Sequence, residues 1–149
     1  MGNYKYIFVP FIALGICQFI KFAMESLKYK SLNWNRLING AGGMPSSHAT
    51  FSMSLTTLLA YNYGFDNPLV ATALIFSFIV CYDAMGVRFE SGKQAEVIND
   101  IADVVEKQNK FKKIKFADLK EQLGHKPLEV IMGMLLGITL ALLFEICIF

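Results

Sequence analysis

The run "YIFVPFIALGICQFIKFAM", from Tyr6 to Met24, limits what this chain can fold into more than any other stretch. It is almost continuously apolar and close to the roughly 20 residues with which a helix crosses a bilayer. Three more apolar blocks follow: Ala49 to Tyr63, studded with small residues, "PLVATALIFSFIVCYDAMG" from Pro68 to Gly86, and "PLEVIMGMLLGITLALLFEICIF" from Pro127. A 15-residue apolar run alone also suits a buried core helix. The first and last blocks are too long and too uniformly apolar for that, so the chain reads as an all-α integral membrane protein. Lys5 alone precedes the first block, no small-residue cleavage pattern follows it, and Gln18 and Lys21 lie inside its last turns, all against a cleaved signal peptide.

Charge placement orients the blocks. Of the 14 Lys and Arg residues, Lys5 precedes the first block, and Lys21, Lys28, Lys30 and Arg36 lie at or after its end. The hairpin "YGFDNP" has none, and the other nine fall between Gly86 and Pro127. About four transmembrane helices, near 6–24, 47–63, 68–86 and 127–148, therefore put both basic loops, 25–46 and 87–126, on one side. The positive-inside rule makes that side cytoplasmic, with both termini outside. All 149 residues form one domain.

The lysine run "KQNKFKKIKF" beside a bilayer means orientation and attraction to anionic lipid. No reader motif accompanies it, so nucleic acid is not an expected partner. Cys17, Cys81 and Cys147 each sit in an apolar block without paired spacing, as small buried hydrophobes rather than a disulfide frame or zinc site. Between the third and fourth blocks, Glu90 to Lys107 predicts a surface amphipathic helix with Ala95, Ile98, Ala102 and Val105 on one face, along the membrane surface or over the mouth of the spans. "FADLKEQL" predicts a further short helix ending at Gly124.

On this topology His48, Asp83, Arg88, His125 and Glu129 reach one membrane face, and the two histidines are the only ones in the chain. Ionisable groups at membrane depth are costly and usually functional. The set suits attack on phosphorus. In "GGMPSSHAT" the glycines let the backbone approach a ligand, and N–H groups and the hydroxyls of Ser46 and Ser47 at a helix start face an anion, without a metal. His125 and Glu129, four apart, share a helical face, so the carboxylate takes the proton of one ring nitrogen and the other can attack. His48 can protonate the leaving oxygen, and Arg88 offers a planar fork to the phosphoryl oxygens. Singly, each has a plainer reading: a capping histidine, an Asp83–Arg88 pair, a turn at "GG".

The segments "GGMPSSHAT", "YDAMGVRFESGKQAEVIN" and "LGHKPLEVIMG" resemble those of the divergent PAP2 family, bacterial and plant proteins related to acid phosphatases and vanadium-dependent haloperoxidases. The resemblance covers most of the chain, from Gln18 to Gly137, and implies a PAP2-like helical core in a bacterial inner membrane. "PSSH", Pro45 to His48, is similar to the superfamily's "PSGH" motif, whose histidine protonates the leaving group. His125 and Glu129 resemble its last pair, a nucleophilic histidine that forms a phosphohistidine and an aspartate four residues on.

The departures are specific. The arginine six residues before the nucleophile is replaced by Leu119, with Lys120 beside it, and Arg88 is placed in that role. The first superfamily motif is absent: Lys30 and Arg36 are six apart and Leu37 follows. Lys21 is the preferred substitute, with Arg36 second; Gly43, Ser46, Ser47 and Lys93 complete the phosphate-binding set and Asp83 supports it. Four spans instead of the usual six leave a pocket to be completed by the Glu90–Lys107 helix or by a second subunit in a homodimer.

The resulting expectation is a metal-independent, cofactor-free lipid phosphatase acting on a phosphomonoester or pyrophosphate such as phosphatidic acid, phosphatidylglycerophosphate or polyprenyl pyrophosphate. The alternative is a non-catalytic binder or carrier of phosphorylated lipids, favoured by the missing arginine. A metal-dependent hydrolase using His48, His125, Asp83 and Glu129 is disfavoured, with two imidazoles among four ligands, and a haloperoxidase lacks its full basic set.

Overall fold

The computed structural model describes residues 4–29, 43–108, 119 and 124–149. Within them are five helices: α1 Lys5–Tyr29, α2 Ser47–Tyr63, α3 Pro68–Met85, α4 Val87–Gln108 and α5 Pro127–Cys147. The protein is an all-α membrane protein. Lys30, Arg36, Lys120 and nearly all of "FADLKEQL" lie outside the described residues.

Three helical stretches are long and apolar enough to cross a membrane: Lys5–Leu27, the run Pro68–Glu106 that holds α3, and Pro127–Cys147. The expectation of about four spans is thus met by three on length and composition. The remaining block forms α2, which has 17 residues and owes its lower hydropathy to hydroxyls. Its setting explains the composition, because α2 packs against α1, α3 and α5 together. Thr50, Ser52, Ser54 and Thr56 are buried. Each returns its hydroxyl proton to a carbonyl of the preceding turn, as Thr56 Oγ1 does to Ser52 O at 3.0 Å and Ser54 Oγ to Phe51 O at 2.8 Å. Small self-satisfied side chains let neighbouring backbones close in where lipid gives no hydrophobic drive for association. Thr56 and Ser77 add a hydroxyl pair at 2.9 Å between α2 and α3.

The α5 glycines are the counterpart. A Cβ on Gly133 would stand 2.4 Å from Ser46 O, and one on Gly137 2.5 Å from Thr50 O. The small-xxx-small spacing of "GMLLG" therefore seats α5 directly on the α2 backbone. Ser46 N–H donates to Glu129 O at 2.8 Å, and Thr50 Oγ1 lies 3.0 Å from Gly133 O. So α2 and α5 run parallel, start together, and form the centre of the bundle. The chain leaves α3 at its other end from the α2–α3 hairpin, since His125 N–H donates to Ala84 O at 2.8 Å.

At the far end the first residues of α1 meet the last turns of α2 and α5. Lys5 Nζ lies 2.6 Å from Glu145 Oε1 and 2.8 Å from Asn62 Oδ1. Tyr4, Tyr61 and Tyr63 are exposed around this end and Tyr82 near the other, an aromatic placement typical of the two membrane–water boundaries. The outward faces between them are apolar: Phe8, Phe11, Ile75, Ile79, Leu135 and Leu143 are all exposed, as lipid-facing side chains are.

The helix α4 departs from its expected packing. Of the face Ala95, Ile98, Ala102 and Val105, only Ala95 is buried, while Ile98 and Val105 are exposed. Among the described helices α4 touches α3 alone, and what it turns inward is small: Gly92 and Ala95 are buried. Its start is fixed by Gly124, whose φ of 81° and whose missing Cβ, which would meet Phe89 N at 2.3 Å, leave no alternative to glycine.

Candidate anion-binding site

The parallel course of α2 and α5 brings two helix N-termini side by side, each preceded or opened by a histidine. The His48 and His125 ring centroids lie 6.0 Å apart with the planes at 65°. Two helix starts concentrate partial positive charge at one point, which favours an anion there.

His125 is held at two points, and its carboxylate partner is held in turn. Its N–H is held by Ala84 O, its Nδ1 lies 3.0 Å from Glu129 Oε2, and the same oxygen accepts Lys126 N–H at 3.2 Å. Glu129 is the third residue of α5 and so reaches back as a helix-capping acid. An ionised carboxylate only accepts, so the neutral ring carries its proton on Nδ1 and leaves a lone pair on Nε2. The ring is 4% exposed, and burial pushes its pKa below the ordinary 6.5. The Glu129 hydrogen bond opposes that shift, the Lys21 charge adds to it, and a contact with the Gly43 backbone opposes it.

Lys21 is buried in the last third of α1, where its charge is felt by both histidines and it interacts in turn with Glu129 and Glu25. Arg88, in the first turn of α4, donates Nε–H to Asp83 Oδ2 at 2.7 Å. That pair is half exposed, and both its charges reach His48. His48, His125, Glu129, Lys21, Arg88 and Asp83 therefore form one electrostatic neighbourhood.

The serines divide. Ser46 is fully buried, its hydroxyl accepts from Ala49 N at 3.5 Å as the α2 cap, and its N–H is held by Glu129 O. It shapes the helix start, and as an acceptor from Ala49 its hydroxyl keeps its own proton to donate. The first N–H groups of α2, on Ser47 and His48, have no partner within the helix, although the Ser47 side chain is buried too. Gly43 has φ 85°, so the backbone just before α2 adopts a conformation that suits glycine. Lys93 pairs with Glu90 at 2.8 Å and lies over the Phe89 ring at 4.7 Å.

Glu25, not singled out from sequence, also borders this cluster. A Cβ on Gly43 would lie 3.5 Å from Glu25 Oε1, and Glu25 sits one turn beyond Lys21, a spacing that was available. Cys17, a turn before Lys21, lies 3.5 Å from Pro45 O. Leu119, where the superfamily has arginine, is tied through its backbone to the Asn99 side chain on α4 at 3.0 and 2.9 Å. Among the described residues no three His, Cys, Asp or Glu side chains converge as a metal would require.

Fold and geometry together define a helical membrane protein with a cluster of ionisable side chains where its helix ends meet. The profile of the Divergent PAP2 family matches residues 3–140, and the chain belongs to that family. It is 40% identical over 138 residues to an uncharacterized membrane protein of Bacillus subtilis (strain 168), YuiD, with 87% of each chain covered. No solved structure matches.

Proposed function

We propose that this protein is a PAP2-type lipid phosphatase that hydrolyses a phosphomonoester or pyrophosphate through a phosphohistidine on His125. The observation that carries the reading is the pairing of His48 with a Glu129-oriented His125 at two converging helix starts. His125 Nε2 attacks phosphorus, the N–P bond forms as the P–O bond to the lipid breaks, and His48 gives its proton to the leaving oxygen. Water then attacks the phosphohistidine, His48 takes the water proton, the N–P bond breaks and phosphate departs. Lys21, the Arg88 fork and the helix N-termini stabilise the charge on the phosphoryl oxygens. The concentration of Lys and Arg in the sequence segments 25–46 and 87–126 supports, by the positive-inside rule, a cytoplasmic site in a bacterial inner membrane.

The test is phosphate release from a panel of lipid phosphates and lipid pyrophosphates by the purified protein, with and without chelator, together with trapping of an acid-labile, alkali-stable phosphoprotein by a denaturing alkaline quench. Release that survives chelator, with label trapped on His125, is expected. Phosphate-analogue binding without release from any member selects the second reading, a binder or carrier of phosphorylated lipids. The specific feature behind that alternative is Leu119, an aliphatic residue in the place of the superfamily's arginine.

The His125 environment also predicts a pH profile. Attack needs the neutral ring, and burial favours it, so the acid limb of kcat/KM falls at a pH below 6.5. Glu129→Gln removes the carboxylate charge that opposes this shift, so the limb moves further to acid while turnover drops by about 10–100-fold. Lys21→Met moves the limb the other way. A limb that stays put in both variants would assign it to another group.

A further inference from the structure

Among the described residues, one face of α4 has no partner in the bundle. Val97, Ile98, Ile101, Val104 and Val105 form a stripe whose members are each 42–58% exposed. At 100° per residue the stripe adjoins the inward face of Gly92 and Ala95 on one side and a row of exposed acids, Glu96, Asp100 and Asp103, on the other. A helix with small residues inward, acids to one side and β-branched residues to the other has two surfaces to cover, and only the first is buried.

We propose that the stripe lies in the headgroup–acyl boundary of the bilayer leaflet from which α3 emerges, making α4 an interfacial helix. Three observations name lipid as the occupant. The lipid-facing surface of α3 continues into α4 across the single residue Gly86, with Tyr82 on one side 73% exposed and Val87 on the other 62% exposed. Tyr82, an aromatic ring with a hydroxyl, marks that depth as the membrane–water boundary, so α4 begins at the surface rather than in bulk water. Five half-exposed β-branched side chains also supply less area than the roughly 800 Å² per partner of a standard protein interface, whereas an interfacial helix needs only to sink its apolar face about 5–10 Å. Glu96, Asp100 and Asp103 then face water, away from anionic headgroups.

The seating has a consequence for the site. Arg88 lies in the first turn of this helix and is held by Asp83 from the last turn of α3. An α4 anchored in the surface keeps that guanidinium at headgroup depth beside His48. The claim about α4 rests on membrane location alone and stands whether or not the site turns over.

The experiment uses the full-length protein in vesicles of phosphatidylethanolamine and phosphatidylglycerol. Cys147, the exposed cysteine, is replaced by serine; Cys17 and Cys81 are buried, and the unlabelled background is checked. Single cysteines at Ile101, Val104, Asp100 and Asp103 carry an environment-sensitive fluorophore. The expected result is blue-shifted emission at 101 and 104, quenched by brominated lipid and not by iodide, with the opposite at 100 and 103. Iodide quenching at 101 and 104 would place the stripe in water and overturn the proposal. Protection from both quenchers would overturn it as well, by showing cover from protein, either another segment of this chain or a second copy. Two positions on each face keep the readout decisive if one variant does not fold.

Discussion

His125→Ala lowers phosphate release by on the order of 10⁴-fold or more, the scale on which a missing nucleophile is felt, while the bundle stays assembled. The ring is buried but makes its contacts locally, through Glu129 and Ala84. The Ala84 contact is to the His125 backbone, so the alanine variant retains it. Lys21, Arg88 and the helix starts also remain, so binding of a phosphate analogue is kept within a few-fold. Paired turnover and binding measurements check this. Retained turnover removes His125 from the nucleophile's role, and joint loss of turnover and binding with a normal melting profile makes it a binding residue.

Gly133→Leu has the largest expected effect on stability. A Cβ there meets Ser46 O at 2.4 Å, Ser46 N at 3.0 Å and Ala49 Cβ at 3.1 Å. Two of these atoms are backbone and cannot rotate aside. Insertion of a leucine side chain forces α5 off α2, breaking the Ser46–Glu129 bond and the Thr50–Gly133 contact. The cost is about 3 kcal/mol, the upper part of the range for overpacking, read as a lowered thermal midpoint in detergent. Turnover falls with it, because the same displacement separates His48 from His125. Gly133→Ala, with one methyl, gives a smaller loss of both. A stable, active Gly133→Leu protein would mean that the two helix starts are not held by this contact.

The fold class was legible because four long apolar blocks leave few alternatives to membrane helices. Which block takes the centre was not. The hydroxyls of α2 lower its hydropathy, and only its three neighbours show that they serve packing rather than exposure. The site was legible to the extent that its residues lie at block ends: topology alone brings His48, Asp83, Arg88, His125 and Glu129 to one face. It was illegible where inward and outward directions matter. Ser46 and Ser47 look equivalent in "PSSH", yet Ser46 is a cap. Ile98 and Val105 share a spacing with Ala95 but not its burial, because a single periodicity cannot tell a protein-facing stripe from one left for lipid. The joining of Lys5, Asn62 and Glu145 spans most of the chain and leaves no local mark.

The hydroxyl-rich α2 also bears on the order in which the molecule is made. Ribosomes deliver α1, α2 and α3 to the membrane well before α5, and until α5 arrives α2 lacks the neighbour whose glycines fit its backbone. During that interval a helix with little affinity for hydrocarbon depends on its two flanking helices for shelter. α5 thus supplies His125, orients it through Glu129 and completes the seat of His48, so the two histidines meet only once α5 has joined the helices made before it.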